Sequence, residues 1–291
     1  MTELHSEEVK AGNRFEFGAN WQRFLETLND ERIDKAVNSL KTTLGVETLD
    51  GVKLLDAGSG SGLFSLAARR LGATVYSFDF DPDSVSCTQT LKQRFYPDDE
   101  NWKIEEGSVL DTDYLATLGK FDLVYSWGVL HHTGAMWEAL DNISKHVDID
   151  GKLFIAIYND QGGQSQRWKT LKRWYNKLPV FLRIPYTVIT MGPRELKLFL
   201  VQLVRGTPGN YIDNVKNYAT HSLRGMNYWH DIIDWIGGYP FEVAKPEELF
   251  EFFQQRGFAL NVLRTQGGGL GCNEFVFQRT SQSTSSDTST T

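Results

Sequence analysis

The sequence predicts an α/β fold: a doubly wound sheet of seven mostly parallel strands, with a C-terminal antiparallel hairpin strand and a helical cap insertion. Short apolar runs alternate with amphipathic stretches of helical period between residues 52 and 158. This alternation is typical of a parallel sheet that is covered by helices on both faces. The pattern is interrupted over residues 160–240, where we expect the cap, and it resumes after residue 240.

Each expected element has a local signal. The strands are short and apolar, whereas the helices repeat apolar residues at three- and four-residue spacing. Residues 267–271, four of which are glycine, separate the last two strands and predict the closing hairpin; we call them the hairpin turn. Strands are expected at residues 52–57, 73–78, 102–106, 121–126, 152–158, 259–265 and 274–279, and helices at residues 61–71, 83–95, 135–146 and 247–255.

The composition is that of an ordinary globular protein, with 291 residues, 41% hydrophobic and 23% charged. The formal net charge of -7 is a poor match for nucleic acid, so we expect no nucleic-acid partner. No apolar run reaches the roughly 18 residues of a membrane span, and the polar N-terminus has no signal-peptide core. Cys87 and Cys272 lack metal-ligand spacing, so we expect no metal site and a cytoplasmic location.

The charge distribution separates the cap from the rest of the chain. Residues 160–240 contain eleven Lys and Arg against five Asp and Glu, a balance of +6 in a chain whose total is -7. Within the cap, Pro179, Pro185 and Pro193 predict that residues 178–205 do not form one continuous helix. The expected domains are an N-terminal helical lid (1–50), a core domain (51–159 and 241–280), the helical cap (160–240) and a disordered tail (281–291).

The strongest functional signal is the turn after the first strand, which reads Asp56-Ala57-Gly58-Ser59-Gly60-Ser61-Gly62. Glycines permit a close approach of a ligand to the main chain, and the N-terminus of the helix that follows favours an anionic group. Asp79 ends the second strand, where a carboxylate accepts hydrogen bonds from ribose hydroxyls. The spacing predicts a nucleotide-like cofactor, and a nicotinamide cofactor remains open at this point.

Three stretches and one residue resemble the motifs of class I, Rossmann-like S-adenosylmethionine-dependent methyltransferases. They are the glycine-rich turn at residues 56–62, Asp79, residues 107–111 and residues 121–132. The resemblance implies the cofactor S-adenosyl-L-methionine and an N-terminal segment that folds over it. Asp56 lies where it can receive the ammonium of the methionine part. The expected cofactor contacts are Phe17, Asn20, Trp21, Asp56, Gly58, Ser59, Gly60, Gly62, Asp79, Phe80, Ser108, Val109, Ser126 and Trp127.

Candidate catalytic side chains follow the fourth and fifth strands, whose carboxyl ends face the ligand in a sheet of this kind. A histidine that titrates near neutral pH suits removal of a proton from a hydroxyl nucleophile. A second group of aromatic and titratable residues, 229–235, predicts a helix that either closes over the substrate or is a capped and packed structural element. The catalytic candidates are His131, His132, Tyr158, Asp160 and His230, each of which also has a structural interpretation as a cap, turn or packing residue.

These observations predict O-methylation of a small-molecule substrate, with a histidine as general base. The basic and apolar cap fits a substrate that has an anionic or lipid-linked part, and it also fits peripheral contact with an anionic membrane surface. A tRNA carboxymethyltransferase is a rival interpretation, because residues 128–132 are similar to that family. The sequence is also compatible with an NAD-dependent oxidoreductase and with a non-catalytic cofactor-binding protein.

Overall fold

A seven-stranded sheet runs through the computed structural model, which describes residues 2–218, 228–267 and 271–281 and, within these ranges, all side chains except that of His230. Residues 268–270 of the predicted hairpin turn therefore lie outside the described residues, as does nearly all of the predicted tail. The strands are β1 Lys53–Ala57, β2 Thr74–Asp79, β3 Trp102–Glu106, β4 Phe121–Trp127, β5 Val147–Tyr158, β6 Phe258–Arg264 and β7 Cys272–Arg279.

The strand order in the sheet is β3-β2-β1-β4-β5-β7-β6. Strands β1 to β5 pair in parallel, whereas β7 is antiparallel to both β5 and β6. The predicted doubly wound sheet with its antiparallel C-terminal hairpin is thereby confirmed. The strand order reverses between β1 and β4, and a crevice at the carboxyl ends of the strands opens at such a reversal.

Helices lie on both faces of the sheet and form the insertion after β5. Their bounds are α1 Thr2–Lys10, α2 Gly18–Glu26, α3 Asp30–Leu44, α4 Leu63–Arg70, α5 Pro82–Phe95, α6 Thr112–Ala116, α7 Met136–Ser144, α8 Gly163–Lys177, α9 Val180–Val204, α10 Pro208–Lys216, α11 Tyr228–Gly237 and α12 Pro246–Gln254. A short 3₁₀ turn, Leu130–His132, follows β4.

Successive residues of each strand face opposite layers, as the two-residue period of a strand requires. On one face Leu54, Leu123 and Phe154 pack with α3 and α4, and on the other their neighbours pack with α7 and α12. Helix α3 begins at the Asn29 cap, whose side chain accepts a hydrogen bond from the Arg32 N–H. The sequence placed α1, α2 and α3 in the N-terminal lid; the apolar face of α3 belongs to this core layer, and Phe24 of α2 also packs in it. We keep the name lid for α1 and α2.

The prediction that prolines interrupt the cap helix is wrong. Helix α9 is continuous from Val180 to Val204 and contains both Pro185 and Pro193. A proline in a helix removes one backbone N–H and leaves the carbonyl group four residues earlier without its partner. Here those carbonyls belong to Phe181 and Ile189, which are exposed, so water can satisfy them.

Strand β5 begins earlier than the sequence predicted. It starts at Val147, opposite Phe121, and continues through Asp150, whose φ of 63 lies in the left-handed region. The pairing register shifts between Phe121 and Leu123. Residues 150–151, just before the predicted strand at 152–158, are therefore part of a bulge inside a longer strand, and such an irregularity bends the strand without ending it.

We expect Phe253→Ala to destabilise the fold by about 3–5 kcal/mol, because the substitution leaves a cavity in a fully packed aromatic layer. Phe253 of α12 is fully buried, and its ring centroid lies 4.5 Å from that of Phe277 on β7. Equilibrium unfolding in urea measures the change. Phe250→Ala, on the exposed side of the same helix, is the matched control and should cost much less; equal losses in the two variants would contradict this account of the core.

Candidate functional site

The glycine-rich turn lies across the carboxyl ends of β1 and β2. The N–H groups of Gly58 and Ser59 both donate to the carbonyl oxygen of Phe78, at 2.8 and 3.1 Å. Gly58 has a φ of 84, and a Cβ atom on it would lie 2.3 Å from the side chain of Val129. A side chain is therefore excluded at Gly58 both by backbone conformation and by space, which is why the turn needs glycine here.

The Asp79 carboxylate fastens this turn to the end of β2. One oxygen accepts a hydrogen bond from the Gly60 N–H at 2.8 Å, and the other accepts from the Asp81 N–H at 2.9 Å. Removal from water raises the pKa of Asp79 to about 6 in spite of these two hydrogen bonds. A carboxylate has about four acceptor positions, so two remain for the hydroxyl groups of a ligand.

The Asp56 carboxylate lies beneath the turn, at the start of a buried chain of hydrogen bonds. It accepts from the Ser65 hydroxyl at 2.5 Å, the Ser77 hydroxyl is 2.7 Å from that of Ser65, and the Trp102 indole N–H donates to Ser77 at 2.9 Å. Burial raises the pKa of Asp56 to about 7, and the nearby charge of Asp79 adds to the shift. These hydrogen bonds hold α4 against β1 and β2.

Helix α2 closes over the turn from above. The Gly18 N–H donates to the Asp81 carboxylate at 2.7 Å, and the Trp21 indole lies against Gly60, where a Cβ atom would come within 3.1 Å of its nitrogen. The Asn20 amide donates to the buried Asp234 carboxylate of α11 at 2.6 Å. Of the N-terminal candidates, Trp21 thus lies against the glycine-rich turn, Asn20 joins the lid to the cap, and the Phe17 ring lies 4.9 Å from the His132 ring between centroids.

The segment before α2 links Phe80 with the loop after β4. The Arg14 guanidinium lies 4.8 Å from the centroid of the Phe80 ring, and it donates to the carbonyl oxygen of His132 at 3.0 Å. The His5 ring contacts the edge of the Phe80 ring at 5.5 Å, and its Nε2 lies 3.6 Å from the Asp81 carboxylate. Sequence reasoning missed Arg14 and His5, because neither lies in a motif and their partners are far away in the chain.

The two histidines after β4 are buried side by side and have different hydrogen-bond partners. The Tyr158 N–H donates to Nδ1 of His131 at 3.3 Å, which assigns the proton of neutral His131 to Nε2. Nδ1 of His132 lies 2.6 Å from the Pro240 carbonyl oxygen, which can only accept. Neutral His132 therefore carries its proton on Nδ1, and its Nε2 has the lone pair that a general base needs.

An aromatic wall surrounds this pair. The ring centroid of Tyr158 lies 4.0 Å from that of His131 and 5.5 Å from that of Trp235 on α11. Behind it the buried Lys172 ammonium donates to the Trp235 carbonyl oxygen and lies 4.8 Å from the centroid of Phe241. In the sequence Lys172 is one of the eleven cations of the basic cap, and its burial could not be predicted because it depends on how α8 packs against α11.

Several candidates have structural partners in the described residues. The Ser126 hydroxyl donates to the Ala57 carbonyl oxygen at 2.7 Å, and the Trp127 indole donates to Glu274 at 2.9 Å. The Ser108 hydroxyl accepts from the Leu110 N–H, while Val109 is buried beside α7. Asp160 accepts from the Gly162 N–H in the turn before α8. The side chain of His230, on α11, lies outside the described residues.

The chain is similar to known proteins in sequence and in fold. The profile of the family described as "Methyltransferase domain" matches residues 16–191, more than half of the chain. The chain is similar to a ubiquinone biosynthesis O-methyltransferase of Pelagibacter ubique, with 26% identity over 210 residues, 70% of this chain and 78% of the relative. A protein of the same description from Brucella anthropi is 30% identical over 118 residues, 38% of this chain and 42% of the relative.

Among solved structures, PKMT2 from Rickettsia typhi has the same fold. It superposes with a TM-score of 0.53 at 14% sequence identity, over 84% of this chain and 52% of that chain. At this identity the likeness concerns the architecture alone.

We expect the thermal stability of the protein without ligand to fall as the pH rises from about 4 to about 7. The pKa of Asp56 is about 7 and that of Asp79 about 6 in the folded protein, above the ordinary value of 3.8, so the folded state holds these protons more tightly than the unfolded state. Stability is therefore full at low pH and is lost as the pH passes through the raised pKa values. Thermal unfolding across this range measures the slope.

Asp56→Asn should make that slope shallower, because the amide oxygen still accepts from Ser65 but position 56 no longer loses a proton, and the remaining slope is that of Asp79. Asp98→Asn, at an exposed position, is the matched control and should retain the slope of the unsubstituted protein. A melting temperature that rises over the same range would show that the raised pKa values are wrong.

Proposed function

Because this chain belongs to the methyltransferase-domain family, we propose that it transfers the methyl group of S-adenosyl-L-methionine to a hydroxyl oxygen of a small molecule. The observation that carries the proposal is the Asp79 carboxylate, held beside the glycine-rich turn at the end of β2. Two relatives described as O-methyltransferases support oxygen as the methyl acceptor. The same relatives favour small-molecule methylation over a tRNA substrate.

The residues at the crevice fit S-adenosylmethionine. Gly58 leaves no room for a side chain, and Asp79 has acceptor capacity for two ribose hydroxyls. Phe80 lies next to Asp79, where its ring can pack on the adenine, and the Ser108–Val109 segment follows the neighbouring strand. We propose that the lid formed by α1 and α2 holds the cofactor in place through Trp21 and the aromatic residues around it.

Asp56 and Ser126 have a supporting part in this proposal. Both side chains are buried and hydrogen bonded beneath the crevice, Asp56 to Ser65 and Ser126 to the Ala57 carbonyl oxygen. The contact of Asp56 with the ammonium of the methionine part stays a prediction, and it requires the ionised form of the carboxyl group. A ligand ammonium would favour that form and would lower the raised pKa of Asp56.

Bound S-adenosylmethionine supplies an electrophilic methyl carbon on a sulfonium group, so the protein has to orient the acceptor oxygen in line and exclude water. We assign the general base to His132, whose Nδ1–H is fixed on the Pro240 carbonyl oxygen and whose Nε2 is then the basic atom. His131 acts as a positioning residue, because its Nδ1 accepts from the Tyr158 N–H and orients the loop. Tyr158 and the Trp235 ring form the apolar wall against which the acceptor packs.

The cap is proposed to select the substrate. Its excess of cations fits an acceptor with an anionic part, and its apolar residues fit a lipid-linked one. Helix α11 joins the cap to the lid through the hydrogen bond between Asp234 and Asn20. Substrate bound under α11 is thereby in a position to order the lid. A cytoplasmic location, expected from the cysteines, stays a prediction.

We expect Asp79→Asn to weaken binding of S-adenosylhomocysteine roughly 10- to 100-fold, since hydrogen bonds to a charged acceptor contribute about 1.5–3 kcal/mol. Affinity of the unsubstituted protein should also rise as the pH passes through about 6, the pKa of Asp79. Ribose hydroxyls favour the ionised carboxylate, so binding releases a proton below that pH. Isothermal titration calorimetry over a pH series measures both effects.

The control for this prediction is Asp113→Asn, which changes an exposed carboxylate on α6 and should leave both affinity and pH dependence as they are. Melting curves show whether the Asp79 variant keeps its fold, because Asp79 also holds the glycine-rich turn. Unchanged affinity in a folded Asp79 variant would refute the cofactor site proposed here.

We expect His132→Gln to lower the rate of methyl transfer to a phenolic acceptor about 10²–10⁴-fold, because a positioned base contributes that much to deprotonation of a hydroxyl. Affinity for S-adenosylhomocysteine should change little. Transfer of a radiolabelled methyl group to a panel of polyprenyl phenols and free catechols measures the rate, and added imidazole should restore part of it. His146→Gln, at the opposite end of β5, is the control; an equal loss in both variants would argue against His132 as the base.

A further inference from the structure

Helix α9 presents one apolar face to solvent along its whole length. Phe181 is 76% and Ile189 74% exposed, and Leu196, Leu200 and Val204 continue the same face. Residues at four-residue spacing lie on one side of a helix. Here this spacing defines the α9 stripe, which contains no charged residue: Phe181, Pro185, Ile189, Gly192, Leu196, Leu200 and Val204.

The exposure of the stripe does not result from a loose helix. The opposite side of α9 is buried through Thr187 and Met191. Met191 packs in one cluster with Tyr175 of α8 and Ile236 of α11, together with Phe15 just before the lid helix α2. Helix α9 is therefore packed against α8, α11 and the segment before α2 on one side, and its apolar stripe is exposed on the other.

The helices that form this part of the cap carry a net positive charge. Residues 163–216, which form α8 to α10, contain ten Lys and Arg, one of which is the buried Lys172, and two Asp and Glu, a formal balance of +8. Of the two acids, Glu195 is half-buried, with Arg194 at 2.9 Å and the Tyr211 hydroxyl at 3.1 Å. Trp174, at the end of α8, is an exposed aromatic residue close to the start of the stripe. Apolar and aromatic side chains bordered by Lys and Arg are the features of a helix that lies in a membrane interface.

We propose that α9 docks on the headgroup region of an anionic lipid bilayer, with the α9 stripe in the acyl boundary and the surrounding cations on the lipid phosphates. None of the helices in the described ranges is long and apolar enough to cross a bilayer. At a rise of about 1.5 Å per residue, α9 lies flat over roughly 37 Å. An anionic surface complements the charge of the cap, with each nearby Lys or Arg strengthening binding about fivefold.

A second copy of the chain is a poorer occupant for the same face. If two α9 stripes paired, two copies of residues 163–216, each with a formal charge of +8, would come together. Like charges repel at such a contact. The bilayer proposal deepens the proposed function, on which it rests for the acceptor: a lipid-linked phenol would reach the crevice from the membrane under the cap. The docked helix packs through Met191 in one cluster with Phe15, which lies in the segment that joins the two lid helices.

The experiment is co-sedimentation of the full chain with vesicles of phosphatidylcholine alone, or of phosphatidylcholine with roughly a third of phosphatidylglycerol. We expect binding to the anionic vesicles and its decrease as salt is raised, because screening weakens headgroup attraction. Ile189→Glu should lower the bound-to-free ratio at least about tenfold, since it removes an inserted apolar side chain and adds an anion.

Ile149→Glu is the matched control, because Ile149 is 63% exposed on β5 at the end of the sheet away from the crevice. It should bind vesicles like the unsubstituted protein. Lys197→Glu should weaken binding to the anionic vesicles several-fold and should make the remaining binding less sensitive to salt, because it reduces the cationic charge that faces the headgroups.

Unchanged vesicle binding by Ile189→Glu, or no binding by the unsubstituted protein to either vesicle, would overturn the proposal. Sedimentation velocity provides the second readout: a dimer that Ile189→Glu converts to a monomer would assign the α9 stripe to a second copy and would also overturn it. Titration with S-adenosylhomocysteine separates the two proposals, because Ile189→Glu is expected to retain full affinity for it. Failure of the unsubstituted protein to bind S-adenosylhomocysteine would count against the proposed function and not against the vesicle result.

Discussion

The hydrogen bonds of the Asp79 carboxylate are the constraint on which the rest of the site depends. They fix the Gly60 N–H on one side and the Asp81 N–H on the other. Asp81 in turn begins α5 and accepts the Gly18 N–H of the lid helix. The Asp79 carboxylate therefore positions the glycine-rich turn directly. Through Asp81 it also positions the start of α5 and the lid helix α2. Its raised pKa is the electrostatic consequence of placing this charge where water is excluded.

A second principle of the site is that each buried polar group has a different task because its partners differ. His131 and His132 are adjacent and both buried, yet one accepts a backbone N–H and the other faces a carbonyl oxygen. These partners impose opposite tautomers on the two rings. Asp56, although it belongs to the glycine-rich motif, faces Ser65 below the crevice and supports the packing of α4.

The cap differs from the core in how its apolar surface is used. Apolar side chains of the core alternate between two packed layers, so nearly all of them are buried. In the cap, α9 buries one side against α8 and α11 and leaves the other to solvent. Monomeric proteins rarely expose an apolar face of this length without a partner. The net positive charge of α8 to α10 fits the anionic bilayer that we propose as this partner.

The sequence by itself determined the sheet, its hairpin ending, and the positions of the glycine-rich turn, Asp79 and the two histidines, because periodicity and short-range spacing decide these features. Contacts between distant segments were decided by tertiary structure alone. Arg14 meets a carbonyl group 118 residues away, and Lys172 is buried only because α8 packs on α11. The sequence also did not predict that α9 continues through two prolines: the helix is packed on one side through Met191, and the carbonyl groups that the prolines leave without a partner belong to exposed residues on the other side.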